Sequence, residues 1–241
     1  MKVELVTPDG VVFDLTGTAE TSPVLAPEGQ LRGLVGNVSR TNLAVPGRAG
    51  VLPGQARFGE IESEVEFYLR AFSGDELAEV YAQFRRAWSL WGAGRPVVIR
   101  VHSPSGVWSF DAWAAKPLPG IDAVPSSQLS VRVAVTVFIP SGLARGETYS
   151  RTGIVTIRND GDVLIYPRLV WSGAGGQVVG PSGATFVLPP VEHATTLDLD
   201  PLEVWLEGVW SEAVAPGLVG TWKVPTGVRI EWEQQVADPW T

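Results

Sequence analysis

Residues 60–69, Glu60-Ile61-Glu62-Ser63-Glu64-Val65-Glu66-Phe67-Tyr68-Leu69, alternate between an acidic and an apolar series. Successive side chains of a strand point to opposite faces. The stretch therefore reads as a half-buried strand, with Ile61, Val65, Phe67 and Leu69 inward and Glu60, Glu62, Glu64 and Glu66 outward. The period then changes. From Asp75 to Trp91, the residues Leu77, Val80, Tyr81, Phe84, Trp88 and Trp91 form one apolar stripe at helical spacing. Ser73 and Glu76 have the spacing of a capping box, and Gly92 follows as a stop.

Outward from this pair, everything reads as β. Upstream, Val3 to Leu15 alternates around Thr7-Pro8-Asp9-Gly10, a hairpin signal in which Pro presets φ and Gly supplies a positive φ. A polar, Gly-rich stretch follows and runs to Leu52; it reads as a long loop or extended arm, about residues 36–52. Downstream, strands are expected at Pro96–His102, Val107–Ala115 and Gln128–Phe138, the last with Leu129, Val131, Val133, Val135 and Val137 on one face. Ile139-Pro140-Ser141-Gly142 reads as a linker. Beyond it lie short strands between turn residues: 153–158, 163–171, 177–178, 185–188, 194–199, 204–206 and 228–232. The fold class is thus mainly β: an N-terminal domain, residues 1–141, with one α-helix, and a C-terminal β-sandwich, residues 142–241.

Composition narrows the function. The 27 Gly and 19 Pro with only 18 % charged residues suit a folded, turn-rich β protein. A net charge of −8 without a basic cluster argues against nucleic-acid binding by counterion release. No run approaches the ~18 apolar residues of a membrane span. Met1-Lys2-Val3-Glu4 enters a strand pattern with no apolar signal region, so folding in a cytoplasm is expected. The absence of cysteine removes disulfides, thiolate zinc sites and thiol nucleophiles.

Enzymatic chemistry finds no foothold: neither a catalytic residue nor a cofactor or metal ligand is nominated. His102 and His193 lack neighbours at metal-ligand spacing, and no Gly-x-Ser-x-Gly elbow marks a nucleophile. Asn159-Asp160-Gly161-Asp162 lacks the distal Glu of a calcium loop and reads as a tight turn. The glutamates of 60–66, roughly 7 Å apart along one face, read as a solvated or assembly-facing surface, with Arg70, Arg100 and Arg132 as candidate partners. Of the ten tryptophans, Trp88, Trp91 and Trp108 read as core, while Trp171, Trp205, Trp210, Trp222 and Trp232 divide between sandwich core and sugar stacking.

Two stretches carry a resemblance. One is Pro46-Gly47-Arg48-Ala49-Gly50, set in an arm after an N-terminal hairpin and before an alternating strand and one helix. The other is Asn159-Asp160-Gly161-Asp162-Val163-Leu164-Ile165-Tyr166-Pro167-Arg168-Leu169-Val170-Trp171-Ser172-Gly173. In this order they resemble the bacteriophage distal tail proteins, the siphovirus tail-tip hub or minor tail protein family. Trp222-Lys223-Val224-Pro225-Thr226-Gly227-Val228 departs from that family's closing Pro-Gly-Asn turn.

The resemblance implies a split β-barrel-like N-terminal domain and a galectin-like or carbohydrate-module-like sandwich. It implies a structural virion protein of a baseplate or tail tip, assembled in the host cytoplasm as a hexameric ring between tail tube and tip. The partners so implied are other copies of itself, the major tail tube protein, a tail-associated hub protein and a tape measure protein. The arm would be a belt on the neighbouring subunit, with Leu43, Val45, Pro46, Gly47, Arg48 and Val51 at the interface. Asn159, Gly161, Pro167 and Gly173 would be the sandwich motif. The alternative function is a carbohydrate-binding adhesion module in the C-terminal half, acting in host recognition.

Overall fold

The computed structural model describes residues 1–18, 20–47, 49–89, 95–120 and 124–241, and divides into two units: Met1–Ala144 with Ala237–Thr241, and Arg145–Val236. The expected linker at 139–142 thus belongs to the first unit, and so do the last five residues.

The strand and helix that open the sequence reading meet in the first core. The strand Ile61–Arg70 buries Ile61, Val65, Phe67 and Leu69; the helix Gly74–Ser89 buries Leu77, Tyr81, Phe84, Ala87 and Trp88. Phe67 lies 5.2 Å from Phe84 and 6.0 Å from Trp88, between ring centroids, so one aromatic cluster joins the two. The cap forms as expected: Ser73 Oγ accepts from Glu76 N–H at 3.2 Å, and the Glu76 carboxylate accepts from Phe72 N–H at 3.0 Å. Trp91 and Gly92 lie outside the described residues.

The sheet runs in the order Val12–Asp14, Lys2–Val6, Val97–Ser103, Gly106–Ala114, Ser130–Ile139, Ile61–Arg70, Val24–Leu25. Its ends approach each other, with Ala26 N–H donating to Leu15 C=O at 2.9 Å, so the sheet curls toward a barrel. The split lies elsewhere. Gly106–Ala114 pairs with Ser130–Ile139 only through Trp113↔Phe138 and Ala114↔Val137. Leu129, expected on the buried face, precedes this last strand and is exposed.

One carboxylate is buried on the other face of Lys2–Val6. Glu4, 8 % exposed, receives Lys2 Nζ at 2.8 Å, Arg100 at 3.2 Å and His102 Nε2 at 3.1 Å. The Lys2 hydrogen bond, helped by that from His102, outweighs burial and holds its pKa down to about 2, from 4.5. Arg100, a candidate partner for the glutamate series, is thus committed here. Arg132 does reach Glu66, at 3.2 Å, whereas Arg70 sits on the glutamates' own strand, opposite Ser130. A carboxyl whose folded pKa is lowered adds stability above its unfolded pKa and loses it as pH falls through the folded one. Glu4→Gln therefore costs about 1–2 kcal/mol at pH 7, discounted because Lys2 is half exposed. Urea titrations should show the wild-type advantage shrinking below pH 4.5 and gone near pH 2; an advantage independent of pH refutes the assignment.

The second unit is a sandwich of two four-stranded sheets. One orders Tyr149–Thr152, Val228–Trp232, Arg168–Gly173, Val191–Asp198; the other Ile154–Arg158, Val219–Lys223, Gly176–Val179, Thr185–Leu188. Trp171, Trp222, Leu169, Ile157, Leu197 and Ile230 are fully buried between them. Two expectations are corrected. Residues 204–206 form no strand, because Asp200 draws the chain into a turn: its C=O accepts from Glu203 and Val204 N–H, and its carboxylate accepts from Leu202 N–H. The strand expected from Val163 begins only at Arg168, after Pro167, which has no N–H to donate.

Candidate functional site

The arm is ordered by backbone pairing rather than by a core. Asn37–Arg40 pairs antiparallel with Ala56–Gly59, and Leu43–Ala44 with Val51–Leu52. The expected loop is in fact a two-stranded hairpin folded on itself. Between the two ladders the register slips by one residue, where Asn42 Oδ1 accepts from Gly54 N–H at 3.2 Å.

No described residue from Val35 to Glu60 is buried. Leu43 is 64 % exposed and Val51 55 %, while Val45 is half-buried. Pro46 is exposed and Gly47, at φ +75°, occupies the turn at the tip. Arg48 lies outside the described residues. A hairpin that presents apolar side chains yet buries none of them has an unused contact surface.

The root of this arm is fixed from the other end of the chain. Gly36 N–H donates to Ala237 C=O at 2.7 Å, and Trp240 Nε1 donates to Leu34 C=O at 2.9 Å. Leu34 and Pro239 are buried. The closing residues therefore hold Leu34 and Gly36, just ahead of the arm's first strand. Sequence reading assigned no role to Trp240, since an aromatic eight residues beyond the last expected strand, 228–232, carries no periodic signal.

In the second unit, the Asn159 motif is a buried hydrogen-bond knot. Asn159 is fully buried; its amide donates to Val163 C=O and Val214 C=O, both at 2.7 Å, and its Oδ1 accepts from Gly161 N–H at 2.9 Å. Gly161 packs against the Gln235 backbone, where a Cβ would sit 2.5 Å from the carbonyl oxygen. Pro167 C=O accepts from Leu199 N–H at 3.1 Å, and Gly173, at φ +82°, closes the Arg168–Gly173 strand. Asp160 is drawn off by Arg158 at 2.7 Å. Among the described residues, no three acidic or histidine side chains are grouped as a metal site, and no helix is long and apolar enough to cross a membrane.

The tryptophans separate as their surroundings dictate. Trp88, Trp108, Trp171 and Trp222 are core. Trp205 and Trp210 are exposed, although Trp205 already rests on Trp171, stacked at 6.5 Å.

No protein-family model matches the chain, and no curated protein matches it by sequence. Solved structures do match it, end to end. The Dit protein of phage SPP1, described as a paradigm of the hub adsorption apparatus in phages infecting Gram-positive bacteria, superposes with a TM-score of 0.53 at 12 % identity, over 97 % of this chain and 98 % of that one. The chain has the fold of a phage tail hub protein. A chain of the phage P2 baseplate in its activated conformation with calcium superposes at a TM-score of 0.58 and 9 % identity, over 97 % of each chain, and the strontium form gives the same values. The hub-protein likeness spans both units, so the resemblance carried by the two sequence motifs extends to the architecture around them.

Proposed function

We propose that this chain is a structural virion protein of a long-tailed phage, closing with copies of itself into a six-membered ring that joins the tail tube to the tail tip. The observation that carries this reading is the exposed apolar hairpin on a hub-protein fold. An arm on one side of a subunit and its seat on another make a heterologous interface, and such contacts close into a ring when their rotation divides the circle. Leu43, Val45, Pro46, Gly47, Arg48 and Val51 form the arm's side of that interface. The ring's partners are the tail tube protein above, the tail-associated hub protein below, and the tape measure protein within. Its place is the virion tail tip, reached by assembly in the host cytoplasm.

Size-exclusion chromatography with light scattering tests the ring directly. The expected mass is six times the 25.8 kDa chain, with annular particles in negative stain. A single-chain mass across the micromolar range removes the proposal.

A further inference from the structure

We propose that the apolar patch of Phe72, Val124 and Leu129 is the seat on which the arm of a second copy of this chain lies. The inference rests on the ring reading and names the surface that the ring would use. Phe72 is 75 % exposed, Leu129 59 % and Val124 62 %, all far from the usual burial of such side chains. They belong to one surface. Ala71 N–H donates to Leu129 C=O at 3.1 Å, and Gly74 packs against the Ser126 carbonyl, so the segment 124–129 lies along the start of the helix.

Charge selects the occupant. Asp75, Glu76 and Glu79 follow Phe72 on the first turns of the helix and are exposed. The arm is the opposite: between Asn37 and Gly59 the sequence holds Arg40, Arg48 and Arg57 and no carboxylate, in a chain of net charge −8. An apolar, basic hairpin and an apolar, acidic patch are complementary in both respects. The arm leaves the patch of its own chain uncovered, so the match is made between copies. A concave apolar surface lined by Ala26, Pro27, Leu31 and Trp240 is a poorer seat, because it carries one charge of each sign, Glu28 and Arg32, and so offers no net charge to match the arm.

The natural chain has no cysteine, so any disulfide between engineered copies is informative. Leu52→Cys and Phe72→Cys proteins should each stay uncross-linked when oxidised alone, but should give a disulfide-linked pair when mixed in reduced form, allowed to assemble together and then treated with the same oxidant. Glu79→Arg should raise the concentration for half-assembly about tenfold, and so should Arg57→Glu. A mixed preparation of the two should recover to within about twofold of the natural protein. If the natural protein forms rings but Leu52→Cys cross-links instead to Glu64→Cys, or to neither, the seat is wrong while the ring stands. If the natural protein is a monomer, the ring reading fails and takes the seat with it.

Discussion

Replacing residues 41–55 by an Asn-Gly turn yields a folded protein that runs as a single chain. Arg40 and Ala56 are opposite partners, so a two-residue turn closes the remaining ladder without strain. None of the removed residues that the structure describes is buried, and the root bonds at Leu34 and Gly36 stay in place. Far-ultraviolet circular dichroism should hold its shape, and the melting free energy should stay within about 0.5 kcal/mol, as for surface changes generally. Assembly is another matter. Leu43, Val51 and Leu52 each contribute about 1.5–3 kcal/mol when fully buried, and association must first offset its own entropic cost. A ring loses that contribution at every interface at once. Light scattering should therefore move from the ring mass to the monomer mass with no mixture in between. A shortened protein that still elutes as a ring means the arm is ornament.

The elements that the sequence made legible are those whose burial leaves a periodic trace. Phe67 alternates with Glu66 because one faces the helix and the other faces solvent, and the 61–70 strand shows it directly. The arm leaves no such trace. Neither of its legs has a buried face, so the polar, glycine-rich text of a hairpin held by backbone bonds alone looks like a loop. The strand Val219–Lys223 is missing from the sequence reading for a different reason. Its inward positions are Gly220 and Trp222, and Gly220 contributes no side chain because a Cβ there would sit 2.9 Å from both the Trp222 ring and Val214. Val204 and Leu206 misled in the opposite sense: they pack half-buried on the core from a turn, so apolar content without a ladder imitated a strand. For the candidate site, the turn at Asn159 was readable from its residue types, but its burial was not. A polar residue in a turn is ordinarily at the surface, and only the tertiary acceptor Val214, 55 positions away, makes this one a core residue.

Asn159→Ala should accordingly be the most damaging single change in the second unit, at about 3–5 kcal/mol. It removes three side-chain hydrogen bonds: Val163 C=O and Gly161 N–H lose the Asn159 partner, while Val214 C=O keeps the bond from Ile165 N–H. Each such group costs about 1–3 kcal/mol when water cannot replace the lost bond. Asn159→Asp should do no better, because a carboxylate keeps the bond from Gly161 but turns an acceptor toward the carbonyls of Val163 and Val214. Asp160→Ala, by contrast, breaks only a surface pair with Arg158 and should change little. Hydrogen exchange resolved by peptide separates the units: protection should fall in 145–236 and hold in the first unit, since all of the Asn159 bonds stay within the second. The same three variants decide between a structural knot and a calcium loop. A knot fails through Asn159 and ignores calcium. A cation site would fail through Asp160 and Asp162 and would raise the unfolding temperature when calcium is added, and that pattern would overturn the reading of this turn as purely structural.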